Sequence, residues 1–173
     1  MPIPAFLTIT GKTQGLITAG AFTEESVGNV HQAGHENEIL VQSFSHEVTI
    51  PRDPQSGQPT GKRVHKPLRV SKRFDKASPL ILTALTTGEV LTSCTLKLFR
   101  TSTAGAQEHY YTIDLEDAVI VHVHMTMADC QDPAMEHSTH MEDVYFTYRK
   151  ITWTHEVSGT SGSDDWRTAG PAA

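Results

Sequence analysis

Residues 61–88 read GKRVHKPLRVSKRFDKASPLILTALTTG and divide into a turn, an extended segment and a helix. The extended segment places four apolar residues on one face, with charged residues between them: Val64, Leu68, Val70 and Phe74. Ser78-Pro79 predicts a helix start, because a serine hydroxyl can cap free N–H groups and proline suits the first helical position. Gly88 predicts the helix end, since glycine readily adopts a left-handed C-cap.

The same stretch is strongly basic. It contains seven of the chain's fourteen Lys and Arg residues: Lys62, Arg63, Lys66, Arg69, Lys72, Arg73 and Lys76. The chain as a whole carries a formal charge of −6, which argues against general affinity for nucleic acid. Aromatic residues suited to base stacking are not interleaved with the basic residues, so no nucleic-acid partner is expected.

The remaining chain is rich in short alternating segments, which indicates an antiparallel β protein. Its 173 residues suffice for one domain with a sizeable core. Val119, Val121, Val123 and Met125 give the clearest alternation and are expected to face the core. The apolar face changes parity between Tyr148 and Ile151, which predicts a bulge or a strand that passes between sheets. About eight strands and one helix favour a closed or nearly closed barrel.

Two segments are predicted to lie outside the regular structure. Pro51 to Gly61, PRDPQSGQPTG, is too rich in turn formers and prolines for a helix or a central strand. A loop of this length inside a domain is usually functional or mobile. Residues 158–173 are rich in Gly, Ser and Asp, so we assign the domain to residues 1–157 and a flexible tail to 158–173.

The sequence contains no apolar run of the roughly 20 residues needed to span a bilayer, so no membrane insertion is expected. The N-terminus, MPIPAFLTIT, shows no secretory signal, which predicts synthesis in the cytosol. Cys94 alternates with apolar neighbours and is expected to be a reduced core residue rather than half of a disulfide with Cys130.

Ten histidines raise the possibility of a metalloenzyme. His122 and His124 would project from one face of a strand, as ligands in a β-barrel do. The opposite face is the apolar one, however, so a solvated outer surface is the stronger interpretation of this pair. His137 and His140 have ligand-like spacing within a loop. No nucleophile elbow, phosphate loop or HExxH motif is present, so no catalytic residue, metal site or cofactor is assigned.

The charges are distributed unevenly along the chain. Residues 52–76 carry eight cationic side chains against two carboxylates, whereas residues 108–165 carry twelve carboxylates against Arg149 and Lys150. A head-to-tail contact between two such regions would generate rings or filaments. The alternative is that the two regions neutralise each other within one fold.

Several segments, in this order, resemble the haemolysin-coregulated protein (Hcp) family of bacterial type VI secretion systems. They are Pro4-Ala5-Phe6-Leu7, the run from Pro59 to Leu68 (PTGKRVHKPL), Asp75-Lys76-Ala77-Ser78-Pro79 and Ile151-Thr152-Trp153-Thr154. The similarity covers roughly residues 1–166 and leaves the residues from Thr168 to Ala173 outside the pattern. It implies a two-sheet antiparallel β-barrel with one short flanking α-helix.

The resemblance also implies a structural role rather than catalysis. Members form hexameric rings that stack into a tube, which a contractile sheath propels behind a VgrG-type spike. The expected partners are therefore further copies of the chain, the spike, the sheath and baseplate proteins, and small effectors in the ring lumen. Export without a cleaved signal peptide is implied too, from the cytoplasm to the outside of the cell.

Two candidate sites follow from this resemblance. Pro51 to Gly61 corresponds to the family's extended loop, which reaches neighbouring subunits. The predicted interface residues lie in or beside it: Arg52, Asp53, Gln55, Gly61, Lys62, Arg63, His65 and Lys66. The apolar residues of the helix cover more than half of its circumference, so some are expected to meet a neighbour or the lumen. The lumen candidates are Leu80, Leu82, Thr83 and Thr86; the alternative is a helix buried on nearly all sides.

Overall fold

Antiparallel strands dominate the computed structural model, which describes residues 3–168. The strands are β1 Ala5–Gly11, β2 Gly15–Leu16, β3 Ile39–Ser45, β4 Val48–Thr49, β5 Val64–His65, β6 Leu68–Arg73, β7 Val90–Thr101, β8 Gln107–Glu116, β9 Ala118–Thr126, β10 Met141–Thr147, β11 Lys150–His155 and β12 Thr160–Asp165. The helices are α1 Glu24–Val27 and α2 Ser78–Thr87, with 3-10 turns at Gly28–Val30 and Pro133–Met135. In residues 3–168 no helix is long and apolar enough to cross a membrane.

Strand β7 closes the sheet on itself. One edge of β7 pairs with β1, and the other pairs first with β9 and then with β8. The circuit β7–β9–β10–β6–β3–β1 therefore returns to β7. Strands β8, β11 and β12 extend the same ten-stranded sheet outward, and β4 pairs with β5 in a small second sheet. Every pairing is antiparallel. The mainly β, two-sheet barrel with a flanking helix is confirmed.

Burial confirms two of the four apolar residues that were predicted to face the core in residues 61–88. Leu68 and Val70 on β6 are fully buried, but Val64 and Phe74 are exposed. The extended segment is interrupted between β5 and β6, where the Lys66 amide bonds to the carbonyl of Glu47. This break reverses the inward face, so that His65 is buried in place of Val64.

Helix α2 begins differently from the prediction and ends as predicted. Ser78 does not cap the helix; its hydroxyl is buried and donates to Glu142 Oε1 at 2.6 Å. The N-cap residue is Ala77, and no side chain of the described residues caps the first turn; the Asp75 carboxylate only fixes the entry to the helix by accepting from the Ala77 amide at 2.9 Å. Gly88 ends the helix in the left-handed conformation, with φ of 67°. The C-cap is confirmed and the serine N-cap is wrong.

Strand β9 corrects the expectation for its four alternating apolar residues. Ala118 and Ile120 are the buried residues, while Val121 and Met125 are exposed. The register against β10 shifts between Tyr145 and Phe146, so that Val121 has no partner on that strand. This bulge changes which side of the strand faces the core. Local alternation cannot reveal such a change.

The end of the chain corrects two predictions. After Tyr148 the chain leaves the barrel circuit, since β10 pairs with β6 and β9 whereas β11 pairs with β8 and β12, but all of these strands belong to one sheet, so the chain does not pass between sheets there. The flexible tail expected from Ser158 is wrong over Thr160–Asp165, which pairs with β11 along its full length. The polar composition of this segment gave no indication of an edge strand. Residues 169–173 lie outside the described residues.

Candidate subunit interface

An ordered hairpin projects from the barrel between β3 and β6, and we call residues 48–65 the arm. It consists of β4, the Pro51–Gly61 loop and β5. The loop was expected to lack structure, but Arg52 pairs with Pro59 as an isolated bridge. The Thr60 amide also bonds to the Pro51 carbonyl at 2.8 Å. The prolines limit this pairing without preventing it.

The tip of the arm is a tight turn organised by Asp53. Its Oδ1 accepts from the amides of Gln55 at 2.7 Å and Ser56 at 2.8 Å. These amides hold the pKa of the Asp53 carboxyl below its usual range. Gly57 completes the turn with φ of 72°, a conformation that favours glycine. Asp53, a predicted interface residue, therefore has a local structural task.

Most other predicted interface residues are exposed on the arm or at its base: Arg52, Gln55, Gly61, Lys62 and Lys66. Lys66 pairs with Glu47 at 2.8 Å, and both side chains are more than half exposed. The arm also exposes the apolar side chains Val48, Ile50 and Val64, of which Ile50 is 55% exposed. These residues contribute little to the barrel core and leave apolar surface to be covered.

Arg63 and His65 point inward, toward the end of the chain. Arg63 Nε donates to Asp164, and its Nη2 donates to the carbonyls of Asp165 at 2.8 Å and Thr168 at 3.1 Å. His65 is buried, with Nε2 2.5 Å from Asp164 Oδ2. The base of the arm is thereby fixed to β12 of the same chain.

A chain of hydrogen bonds continues from His65 to His46. His65 Nδ1 lies 2.8 Å from the Tyr148 hydroxyl, which lies 2.6 Å from His46 Nε2. The Asp164 carboxylate can only accept, so His65 donates to it from Nε2, while its Nδ1 faces the tyrosine hydroxyl. The tyrosine hydroxyl thus bridges the two imidazole rings. Five residues from four parts of the chain form one network, which we call the arm-base network.

The arm-base network shifts the pKa values of its members. The Arg63 guanidinium, by its hydrogen bond, holds the pKa of Asp164 below the ordinary value, and His65 adds to this effect. Burial lowers the pKa of His46, and the nearby His65 lowers it further. Burial also raises the pKa of the Tyr148 phenol. At neutral pH the network therefore holds one anion beside Arg63 and a protonated tyrosine.

Three basic residues of the stretch 52–76 pair with carboxylates of the acidic region of the same chain. Arg63 pairs with Asp164, Arg69 lies 3.5 Å from Asp143, and Lys72 pairs with Glu142. These contacts join the two regions whose opposite charges suggested a head-to-tail contact. They support the alternative of internal neutralisation, so the charge pattern by itself is no longer evidence for assembly.

Helix α2 presents one buried face and one exposed face. Ile81 and Ala84 are fully buried, Leu82 is partly buried, and Leu80 is 38% exposed. Thr83 and Thr86 are exposed, and their hydroxyls donate to the carbonyls of Pro79 at 2.9 Å and Thr83 at 3.1 Å. The alternative of a helix buried on nearly all sides is wrong. Since these hydroxyls bond to the helix itself, the face offers few free polar groups.

Glu89 fixes the turn before β2 against this helix. Its Oε1 accepts from the amides of Thr13 at 2.6 Å and Gln14 at 2.7 Å. Gln14 Nε2 donates to Glu89 Oε2 at 2.7 Å and to the Leu80 carbonyl at 3.1 Å. The backbone donors lower the pKa of Glu89. Sequence analysis missed Glu89 and the arm-base residues His46, Tyr148 and Asp164, because no local motif marks them.

The histidine pair on β9 does not form a metal centre. His122 and His124 are both exposed, with ring centroids 6.4 Å apart, and His122 packs against Tyr145. Between residues 3 and 168, no three His, Cys, Asp or Glu side chains are grouped so as to hold a metal ion. The metalloenzyme alternative has no support in this arrangement.

Comparison with known proteins identifies the family. A family model described as "Type VI secretion system effector, Hcp" matches residues 6–155. The chain belongs to this family. It is 68% identical over 168 residues to the "Major exported protein" of Pseudomonas aeruginosa strain PAO1, covering 97% of this chain and 98% of that one.

Solved structures of the Hcp family have the same fold. A structure titled "Crystal structure of Hcp protein" is 48% identical, covers 97% of this chain and 100% of its own, and superposes with a TM-score of 0.92. "Secreted protein Hcp3 from Pseudomonas aeruginosa" is 59% identical, with 96% and 100% coverage and a TM-score of 0.82. The expected membership of the Hcp family is confirmed.

Proposed function

We propose that this Hcp-family chain is a structural subunit that assembles into hexameric rings, and that the rings stack into the inner tube of a type VI secretion system. The observation that carries the proposal is the arm. It is an ordered hairpin held by its own hydrogen bonds and by the arm-base network, yet it contributes little to the barrel core. Contact with a neighbouring subunit would explain why the arm is ordered although it adds little to the core of its own chain.

The exposed apolar residues of the arm favour protein contact over a solvated loop. Burying apolar surface stabilises a contact by about 25 cal/mol per Å². A closed ring repeats each such contact around its circumference. In this arrangement Val48, Ile50 and Val64 meet the next subunit, while Arg52, Gln55, Gly61 and Lys62 surround that contact. Lys66 and the tip residue Asp53 lie at its border.

Arg63 and His65 take a different part in the same interface. Both bond within the chain, so we assign them the positioning of the arm rather than direct contact. The charged residues Asp164 and Arg63 fix the direction in which the hairpin leaves the barrel. Their contribution to assembly is therefore indirect.

The wider setting of the proposal rests on the family. We assign the ring as a conduit for small effectors, with a VgrG-type spike at one end and sheath and baseplate proteins around it. The exposed face of α2, with Leu80, Leu82, Thr83 and Thr86, is the candidate lumen surface. The name "Major exported protein", given to the Pseudomonas relative, supports export of this chain. Export from the cytoplasm without a cleaved signal is part of the proposal and rests on the family resemblance. The role is structural rather than enzymatic.

Excision of the arm tests the proposal. Thr49 opposes Val64, so Ile50 would oppose Arg63, and Asn-Gly in place of residues 51–62 would close a two-residue hairpin. Native mass spectrometry should find a hexamer for the unchanged protein and a monomer for the excised one, with the same β-sheet circular dichroism. A hexamer that survives excision would contradict the role of the arm. Unfolding would mean that the arm belongs to the core.

A further inference from the structure

The loop between β9 and β10, residues 127–140, gathers the soft donor side chains of the protein. Four of the chain's five methionines lie within residues 125–141. A pocket of about 160 Å³ in this loop is lined by two thioethers, a thiol and an imidazole: Met127, Met135, Cys130 and His140. The proposed tube function uses none of these four side chains.

The backbone of this loop is ordered by successive turns. Asp129 Oδ1 accepts from the Gln131 amide at 2.9 Å, which fixes the turn that contains Cys130. Asp132 Oδ1 accepts from the Ala134 amide at 2.9 Å and begins the 3-10 turn that ends at Met135. The four donors are thus held on a defined loop, which reduces the ordering needed to bind a ligand.

Burial in the core does not explain why these side chains are present, although the Met135 sulfur accepts a long hydrogen bond from the Ser138 hydroxyl at 3.6 Å. Met127 is 63% exposed and Met135 is 45% exposed, although methionine is an apolar residue common in cores. Cys130 is exposed, whereas Cys94 is buried among apolar residues. The His140 carbonyl accepts from the Phe74 amide at 3.3 Å, and its imidazole, which lines the pocket, has its centroid 5.8 Å from that of the Phe74 ring.

The chemistry of the four donor side chains indicates which metal ion the pocket would bind. Thiolate and thioether ligands favour Cu(I), and imidazole also suits copper. Zinc prefers four ligands from Cys, His, Asp and Glu, and residues 3–168 bring no three of these together. The one carboxylate in the pocket, Asp129, already accepts a backbone hydrogen bond. A monovalent soft cation fits these donors better than a divalent one.

We propose that this pocket binds one Cu(I) ion per chain through Cys130, Met127, Met135 and His140. Cys130 loses its proton to solvent as the sulfur–copper bond forms, and no oxidation or reduction takes place. The site is independent of the arm, so its failure would leave the proposed tube function unaffected.

An anaerobic titration with Cu(I), in competition with the chromophoric chelator bicinchoninate, tests the site. The unchanged protein should withdraw one equivalent of Cu(I) from the chelator, and Cys130→Ser should withdraw none. Met127→Leu and Met135→Leu should each weaken binding at least about tenfold, as removal of a supporting group at a metal site does. Met125→Leu is the matched control: its side chain is exposed on β9 but does not line the pocket, and binding should not change.

Alkylation provides a second readout. Iodoacetamide should modify Cys130 and leave the buried Cys94 intact, and Cu(I) should protect Cys130 whereas Zn(II) should not. The proposal is overturned if Cu(I) binding survives Cys130→Ser, if Met125→Leu weakens it as much as the pocket variants do, or if Zn(II) protects the thiol equally. Absence of any binding to the unchanged protein would overturn it as well.

Discussion

Lys72 and Glu142 stand directly opposite each other on β6 and β10, and their ion pair is fully buried. Two neighbours complete the cluster: Asp75 Oδ1 lies 3.0 Å from Lys72 Nζ, and the Ser78 hydroxyl donates to Glu142 at 2.6 Å. Burial raises the pKa of Asp75. The pair joins the barrel wall to the start of α2. Lys72 therefore lies in the core, although in the sequence it belongs to the basic stretch.

Lys72→Met should destabilise the fold by about 3–5 kcal/mol, because it leaves Glu142 buried without its partner. Urea unfolding followed by circular dichroism measures the loss. Lys66→Met is the matched control: it removes an exposed ion pair with Glu47 and should cost at most about 1 kcal/mol. Equal losses in the two variants would contradict a special role for the buried pair.

Arg63→Met should release β12 from the base of the arm. The substitution removes the ion pair with Asp164 and two hydrogen bonds to carbonyls near the end of the chain. Hydrogen exchange of residues 160–168 should accelerate, while exchange in β7 should stay unchanged. The ring should weaken more than the barrel does, by native mass spectrometry. Unchanged exchange in β12 would show that the arginine is dispensable there.

His46 should make the stability depend on pH. Its folded-state pKa is lowered from the ordinary value near 6.5, so below pH 6.5 the unfolded chain takes up the proton more readily. Its contribution is therefore present above pH 6.5 and is lost as pH falls through the lowered pKa. His46→Gln should flatten the decline of the unfolding free energy between pH 7.5 and pH 5. Parallel curves for the two proteins would contradict this expectation.

Ile50→Asp should weaken ring assembly and leave the barrel folded, because Ile50 is exposed on the arm and contributes little to the core. Val157→Asp is the matched control, since Val157 is also 55% exposed but lies in the turn between β11 and β12, outside the arm. Sedimentation velocity over a range of protein concentrations should shift toward monomer only for Ile50→Asp. Similar shifts for both would indicate that added negative charge disfavours assembly in general, and would contradict a specific contact at Ile50.

Leu80→Asp should be tolerated by the fold, whereas Ile81→Asp one residue further along α2 should unfold it. Leu80 is 38% exposed and Ile81 is fully buried. Surface substitutions usually change stability by less than about 0.5 kcal/mol. If the exposed face lines the lumen, Leu80→Asp should also reduce co-purification of an effector while ring mass and melting temperature persist. A collapse in melting temperature would place Leu80 in the core.

The elements that sequence patterns predict well are the ones governed by near neighbours. Gly88 ends α2 as expected, because a C-cap requires only the conformation of one residue. Leu68 and Val70 point inward as expected, because alternation along a strand sets its faces. β9 departs from its pattern because the bulge at Val121 arises from its pairing with β10. Strand pairing also explains why His65 is buried and Val64 is exposed, which is the reverse of what alternation predicted.

The sequence by itself determined the fold class, the helix end, the barrel strands and, through a few ordered segments, the family. Only the tertiary structure decided which charges are free and which are paired. Lys72 meets Glu142 across 70 positions of sequence, and His65 meets Tyr148 across 83. No local pattern specifies such partners, since they meet only when the barrel closes. For the same reason the arm emerged as an ordered hairpin held at its base by β12, and not as the loose loop that its prolines and glycines suggested.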